Sequence, residues 1–183
     1  MFNPGAYGKD VRAILALGGD GARLMPLTFG PGAGPEVRGQ LKSMAARESF
    51  PHSFAPAEAL GGLWLYFDGF DESHGIVQDL ESSEASYWHA ILHRREPDPG
   101  NASYWFRPVS AHPVFGLLRQ EVEKLQAAQA KQWLPLSPRW SPMAFVDLVE
   151  EARTEPGSEK ELFAKQVQLL EWQLLFDYCA KVR

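Results

Sequence analysis

The segment "YWHAILHRRE", from Tyr87 to Glu96, contains two histidines at a spacing that suits metal binding. His89 and His93 are four residues apart and Glu96 follows three later, so a helix would place all three within an arc of about 60°. Two imidazoles can share a metal ion, and a carboxylate would complete a three-ligand site with an open position. His89, His93 and Glu96 are therefore the predicted metal ligands. A divalent ion held in this way could activate water, which would make the protein a metal-dependent enzyme of the hydrolase type.

The preceding segment contributes a further histidine. His74 and Gln78 are also four residues apart, and "ESS" at 81–83 favours a turn between the two segments. In an antiparallel hairpin with helix axes about 8 to 10 Å apart, His74 would lie within about one helical turn of His89. The sequence thus predicts a polar cluster in which His74 joins the three predicted ligands. The alternative is a solvated face, with "HRRE" forming a salt-bridged helix end.

Aromatic residues and arginines are dense between residues 64 and 107. Tyrosine, tryptophan and arginine suit recognition surfaces because they combine a large contact area with a polar group. We therefore expect a concavity that binds a small polar ligand or a partner peptide. The residues expected to contact that ligand are His74, Gln78, Trp88, Arg94, Arg95, Asn101, Tyr104 and Trp105. The alternative for Trp88 and Trp105 is packing between helices, and a purely structural helical adaptor is a third functional reading.

The glycine-rich stretch "GGDGARLMPLT", residues 18–28, resembles the signature loop of sugar-1-phosphate nucleotidyltransferases. Such a loop presents backbone N–H groups to phosphate and lies between a strand and a helix. The resemblance implies nucleotide binding on an α/β fold, but "MPLTFGPGAGP" contains no helix start and the rest of the chain has helical patterns. We expect instead a glycine-rich turn after the first helix, with Arg23 the one residue in it that could serve a ligand.

The overall composition sets limits on partners and location. The chain has 183 residues, 45% of them hydrophobic, and a net charge of -5. An acidic chain lacks the positive field that nucleic acids and anionic membranes attract, so neither is an expected partner. Cys179 is the single cysteine and cannot form an intramolecular disulfide, which favours a reducing, cytoplasmic location. Its apolar surroundings indicate a small core residue.

Helical periodicity dominates the chain and alternation typical of strands is nearly absent, so the predicted class is all-α. Short connections indicate antiparallel helical hairpins packed as a compact bundle. We expect a single helical domain with an irregular N-terminal segment (1–55), central helical hairpins (56–130) and a C-terminal helical pair (141–183). Ser158 and Glu161 have the spacing of a capping box at the start of the last helix. Asn101 is expected to cap the helix that it begins, and His112 either caps the long helix after Pro113 or approaches the histidine cluster.

Two central hairpins are weakly alike, "GLWLYFDGFDESHGIVQDL" and "AILHRREPDPGNASYWFRPV". Their pattern resembles that of tetratricopeptide-like repeats, which implies a repeat-like helical bundle, although a regular solenoid needs about three or more units. The segments "GLWLYFDGFDESH", "SYWHAILHRREPDPGNASYWFRPV" and "VQLLEWQLLFDYCA" also resemble a bacterial protein family without an established activity. That resemblance implies a helical fold and assigns no catalytic residue.

Overall fold

The computed structural model describes residues 2–135 and 137–182, and all the regular elements in these ranges are helices. A short 3₁₀ turn, Pro4–Ala6, precedes ten α-helices. They are α1 (Lys9–Leu17), α2 (Pro35–Ser43), α3 (Ala46–Ser49), α4 (Pro56–Tyr66), α5 (Phe70–Val77), α6 (Ser83–Arg95), α7 (Pro99–Phe106), α8 (Pro113–Gln129), α9 (Pro142–Arg153) and α10 (Glu159–Ala180). The prediction of an all-α fold is confirmed. Within the described ranges, no helix combines the length and apolarity needed to cross a membrane.

Prolines and polar caps decide where most of these helices begin. Five helices, α2, α4, α7, α8 and α9, start with proline, whose missing N–H costs nothing in the first turn. The side chains that cap helix N-termini are Ser82, Asp98, His112, Ser141 and Ser158. These local signals explain why the helix positions could be predicted from sequence.

Two capping predictions need correction. Asn101 does not cap α7: the helix begins at Pro99, Asp98 is the cap, and the Asn101 backbone and side-chain amides both donate to Asp98. At α10, Ser158 accepts from the Glu161 amide as predicted, but the Glu161 carboxylate accepts from the Gly157 N–H rather than from Ser158. The backbone turns at Gly157, which has a positive φ of 80°, and its N–H lies 2.7 Å from the Glu161 carboxylate.

Helix α4 lies in the middle of the bundle and contacts α3, α5, α6 and α10. Its residues from Glu58 to Tyr66 are all buried. Gly61 and Gly62 allow neighbours to come close, because a Cβ on Gly61 would lie 2.9 Å from Val77 of α5 and one on Gly62 would lie 2.6 Å from Trp88 of α6. Because α4 is surrounded by other helices on several sides, the fold is a compact helical bundle. The predicted repeat-like character is not confirmed.

Helix α10 connects two regions of the core. Its C-terminal half packs against α4, where the Trp172 indole N–H donates to the Gly62 carbonyl at 2.8 Å. Its N-terminal half packs with α8 and α9 around Phe145 and Phe163, which have no exposed surface. The longest helix therefore holds the central hairpins and the C-terminal region together.

The glycine-rich stretch forms a packed turn after α1. The Tyr66 hydroxyl donates to the Gly18 carbonyl at 2.5 Å and accepts from the Arg23 backbone N–H at 2.8 Å. The Arg23 guanidinium bonds the Tyr66 carbonyl and lies 3.5 Å from the Asp68 carboxylate. The Arg23 side chain that could have served a ligand is therefore engaged by the end of α4.

Candidate metal centre

The candidate site lies where α5 and α6 pack against each other. His74 is on α5 and His89 on the facing side of α6, and their Nε2 atoms are 3.0 Å apart. The two rings meet nearly edge to face at 84°. One Nε2 must carry a hydrogen and the other accept it, so the pair shares a single proton. The expected approach of His74 to His89 across the hairpin is confirmed.

His93 joins this pair one helical turn along α6. Its ring stacks on that of His89, with centroids 4.9 Å apart and an angle of 17°. Each of the three histidines offers a ring nitrogen, and the three nitrogens lie within 4.8 Å of one another. This set, His74, His89 and His93, is called the histidine cluster below.

Glu96 lies at the edge of the histidine cluster and contacts His93. The Nδ1 atom of His93 is 2.9 Å from Glu96 Oε2, and the side chain of Glu96 is 47% exposed. A carboxylate accepts, so Nδ1 is the protonated nitrogen of His93 and Nε2 is left free. Metal-binding histidines commonly have such a carboxylate partner, which fixes the tautomer and the ring orientation. The structure therefore places Glu96 beside the predicted ligand His93. The third group that could bind the ion is His74.

Aromatic rings hold the imidazoles in place. Trp105 of α7 stacks on His89 with ring centroids 3.8 Å apart at 14°, and Phe70 stacks on His74 at 5.6 Å. His89 is 3% exposed, and its Nδ1 atom is buried without a hydrogen-bond partner in the described ranges. The ring of His89 is thus positioned by stacking on Trp105 and His93 and by its bond to His74.

Burial, followed by the neighbouring His74 and His93, lowers the pKa of His89 from 6.5 to about 4. Burial removes hydration from the charged imidazolium, and a second cation nearby would raise its energy further. His89 is therefore neutral at pH 7. Only a neutral imidazole has a lone pair available to a metal ion.

The spacing of the nitrogens can be compared with that of a bound metal. Zinc binds imidazole nitrogen at about 2.0 to 2.1 Å in tetrahedral geometry, which separates two ligand nitrogens by about 3.4 Å. The 3.0 Å between His74 and His89 is close to that value, and the three ring nitrogens of the cluster all lie within 4.8 Å of one another. Three imidazoles suit zinc, copper, iron or nickel rather than magnesium or calcium, which prefer oxygen ligands.

Three other predicted site residues lie at the surface. Gln78 caps the C-terminal end of α5 and is exposed, and the Tyr104 side chain is 57% exposed. Asn101 is bonded to Asp98 within its own helix end. Of the residues expected to contact a ligand, His74 belongs to the histidine cluster and Trp105 stacks on His89.

Trp88, Arg94 and Arg95 have no exposed surface. Arg95 bonds the carbonyls of Leu65 and Pro26 and forms an ion pair with Asp68. These bonds tie the end of the glycine-rich stretch to the end of α4. We assign all three residues to the core, because a ligand cannot reach side chains that the bundle covers completely.

Arg94 pairs with Glu171, a residue that sequence reasoning did not single out. Its Nη2 donates to Glu171 Oε2 at 2.5 Å, while the Tyr87 hydroxyl donates to Oε1 at 3.1 Å. Both charged side chains are 0% exposed. A glutamate within the apolar run "LLEWQLLF" was the available sequence signal, since an unpaired carboxylate is rarely buried there. Arg94 and Arg95 therefore do not form the salt-bridged helix end that was the alternative for "HRRE", because their partners, Glu171 and Asp68, come from distant parts of the chain.

His112 is separate from the cluster. Its Nδ1 accepts from the Val114 N–H at the start of α8, and its Nε2 is 3.3 Å from Glu84 Oε1. This hydrogen bond is the main cause that lowers the pKa of Glu84. Of the two predictions for His112, the helix cap is therefore confirmed.

The protein is thus an all-α bundle with a cluster of three histidines between two of its central helices. The chain matches no protein-family model, no curated protein and no solved structure.

Proposed function

We propose that the protein binds a divalent transition-metal ion through His74, His89 and His93, and that the ion keeps one position for water or a polar ligand. The convergence of three ring nitrogens within 4.8 Å, from two different helices, is the observation that carries this proposal. Three protein ligands are the usual number in catalytic zinc sites, whereas structural sites use four.

The surroundings support the same function. Glu96 accepts from Nδ1 of His93, which leaves Nε2 of that ring for the ion. His74 is only partly buried, so the cluster has access to solvent on the α5 side. An ion of this kind lowers the pKa of bound water, and hydrolysis of a small polar substrate is the reaction class that this chemistry supplies.

Cobalt(II) provides a direct test, because its visible absorption reports the number and geometry of its ligands. We expect untagged protein to bind one cobalt ion with absorption between about 500 and 650 nm that zinc displaces, as a site of low coordination number requires. The same protein is analysed for metal content after purification. A combined His89→Gln, His93→Gln variant should lose both the absorption and the metal.

His52 offers a matched control. It is exposed, lies outside the cluster and has a positive φ of 61°, a conformation that asparagine tolerates. His52→Asn should bind cobalt like the wild type. The proposal is wrong if the wild type shows no cobalt spectrum and no zinc binding, or if the double variant binds as well as His52→Asn does.

A further inference from the structure

A cleft lies between the end of α7, the start of α8 and the segment before α9. Its volume is about 640 Å³, within the range of small-molecule sites. The apolar part of its lining includes three aromatic rings, Phe106, Phe115 and Trp140. The histidine cluster takes no part in it.

The charge of this cleft is opposite to that of the chain. Three arginines line it, Arg107, Arg119 and Arg139, and no aspartate or glutamate does so among the described residues. The whole sequence has 18 basic and 23 acidic residues. Because Arg119 pairs with Glu123, the local excess of positive charge comes from Arg107 and Arg139, and it creates a field that attracts anions to this cleft.

The three arginines differ in how far they are engaged. Arg119 donates through Nε to the Ser137 carbonyl at 2.9 Å and pairs with Glu123 at 3.3 Å, so it holds the segment that forms one wall. The guanidinium groups of Arg107 and Arg139 have no hydrogen-bond or ion-pair partner within residues 2–135 and 137–182. Both are exposed and free to pair with a ligand.

The described lining contains no carboxylate and no free imidazole nitrogen that could bind a metal ion. His112 also lines the cleft, but both its ring nitrogens are used, by Val114 and by Glu84. The Trp140 indole N–H is buried and has no acceptor in the described part of the chain. The lining thus offers donors and aromatic faces, and the guanidinium groups suit carboxylate or phosphate.

We propose that this cleft binds a small organic anion, in which a flat aromatic body lies against Phe106, Phe115 and Trp140 and a carboxylate or phosphate pairs with Arg107 and Arg139. The proposal is independent of the histidine cluster, which lies outside the cleft. Within the segment 64–107, where the sequence predicted a ligand-binding concavity, only Phe106 and Arg107 line this cleft. The cleft itself depends on α8 and on the segment 138–143, which are distant in sequence.

Three naphthalene compounds and inorganic phosphate separate the aromatic and charged contributions to binding in calorimetric titrations. The probes are 1-naphthoate, 1-naphthyl phosphate, neutral 1-naphthol and inorganic phosphate, each added to protein and buffer freed of metal on a chelating resin. We expect the aromatic anions to bind at one site, and naphthol and inorganic phosphate to bind at least about tenfold more weakly. Naphthol lacks the charge-assisted bidentate pair with arginine, and inorganic phosphate lacks the stacking on aromatic rings. The tighter of the two aromatic anions identifies the preferred acidic group.

The variant pair locates the site. Arg107→Gln combined with Arg139→Gln should weaken the preferred anion by about tenfold or more, since each residue supplies a charged hydrogen bond. Arg12→Gln with Arg47→Gln removes two exposed arginines elsewhere and should change binding less than twofold. Equal binding of naphthol and naphthoate, no binding of either anion, or equal effects of the two double variants would overturn the proposal. None of these outcomes bears on cobalt binding by the histidine cluster.

Discussion

The Nε2 atoms of His74 and His89 lie 3.0 Å apart across the contact between α5 and α6. This contact depends on α4, because Gly61 and Gly62 let α5 and α6 approach it without a Cβ between them. The position of the candidate metal centre is thus set by the packing of three helices.

His89 should make the metal-free protein sensitive to acid. Its pKa is lowered from 6.5 to about 4, so between these values the unfolded chain binds a proton that the folded chain does not. This contribution to stability is fully present above pH 6.5 and is lost as the pH falls toward 4. We expect a loss of roughly 2 to 3 kcal/mol from this group, measured by urea unfolding at pH 7 and pH 4.5. His89→Gln should show a smaller loss than the wild type, and His52→Asn the same loss; identical pH dependence in all three would contradict the assignment.

Glu96 should act on metal affinity through His93. Glu96→Gln replaces the carboxylate that accepts from Nδ1 of His93 by a weaker neutral acceptor. We expect zinc affinity, measured by competition with a chelating dye, to fall by about tenfold. Glu81→Gln makes the same change of charge at an exposed position in the turn before α6 and should have little effect. If the two variants bind zinc equally well, Glu96 does not position His93.

Trp105 should be required for the orientation of His89. Trp105→Leu removes the ring that stacks on His89 at 3.8 Å, whereas Tyr104→Leu removes an adjacent ring that is 57% exposed. An aromatic pair contributes about 0.5 to 1.5 kcal/mol beyond its buried area, so cobalt affinity should fall by about threefold to tenfold in the first variant. A shift of the cobalt absorption band is expected with it. Equal spectra and affinities for both variants would show that the stacking does not affect the site.

Removing one charge of the buried pair of Arg94 and Glu171 should strongly destabilise the protein. Glu171→Gln leaves the Arg94 guanidinium buried without its counter-ion, in a place where its Nε and Nη1 already have no partner in the described residues. We expect a loss of about 3 kcal/mol or more in the free energy of unfolding. Replacing both residues, with Arg94→Met and Glu171→Leu, should recover much of this loss. A double variant as unstable as the sum of the single changes would contradict the explanation.

Gly62 should tolerate no side chain. In Gly62→Ala the new Cβ would lie 2.6 Å from the Trp88 ring, which has no exposed surface and cannot move freely. We expect a destabilisation of about 1 to 3 kcal/mol by overpacking, together with weaker cobalt binding because α6 shifts. Gly39→Ala in α2 meets nothing within 4 Å and should be neutral or stabilising by up to about 1 kcal/mol. Urea unfolding of the two variants compares them directly.

Much of the helical framework is determined locally. Prolines at helix starts, serine caps and three-to-four-residue periodicity act within a few residues, so they predict α4, α8 and α10 from sequence alone. The spacing of His89 and His93 is local for the same reason. It places both rings on one face of α6 whatever the rest of the chain does.

The tertiary structure decided which residues meet. Nothing local to "HRRE" indicates that Arg94 pairs with Glu171 and Arg95 with Asp68, since both partners come from other helices or their ends. The same holds for the bond of His74 to His89 and for the arginine-lined cleft. Sequence spacing fixes the face of a helix on which a residue lies, but burial and partners depend on which helix packs against that face.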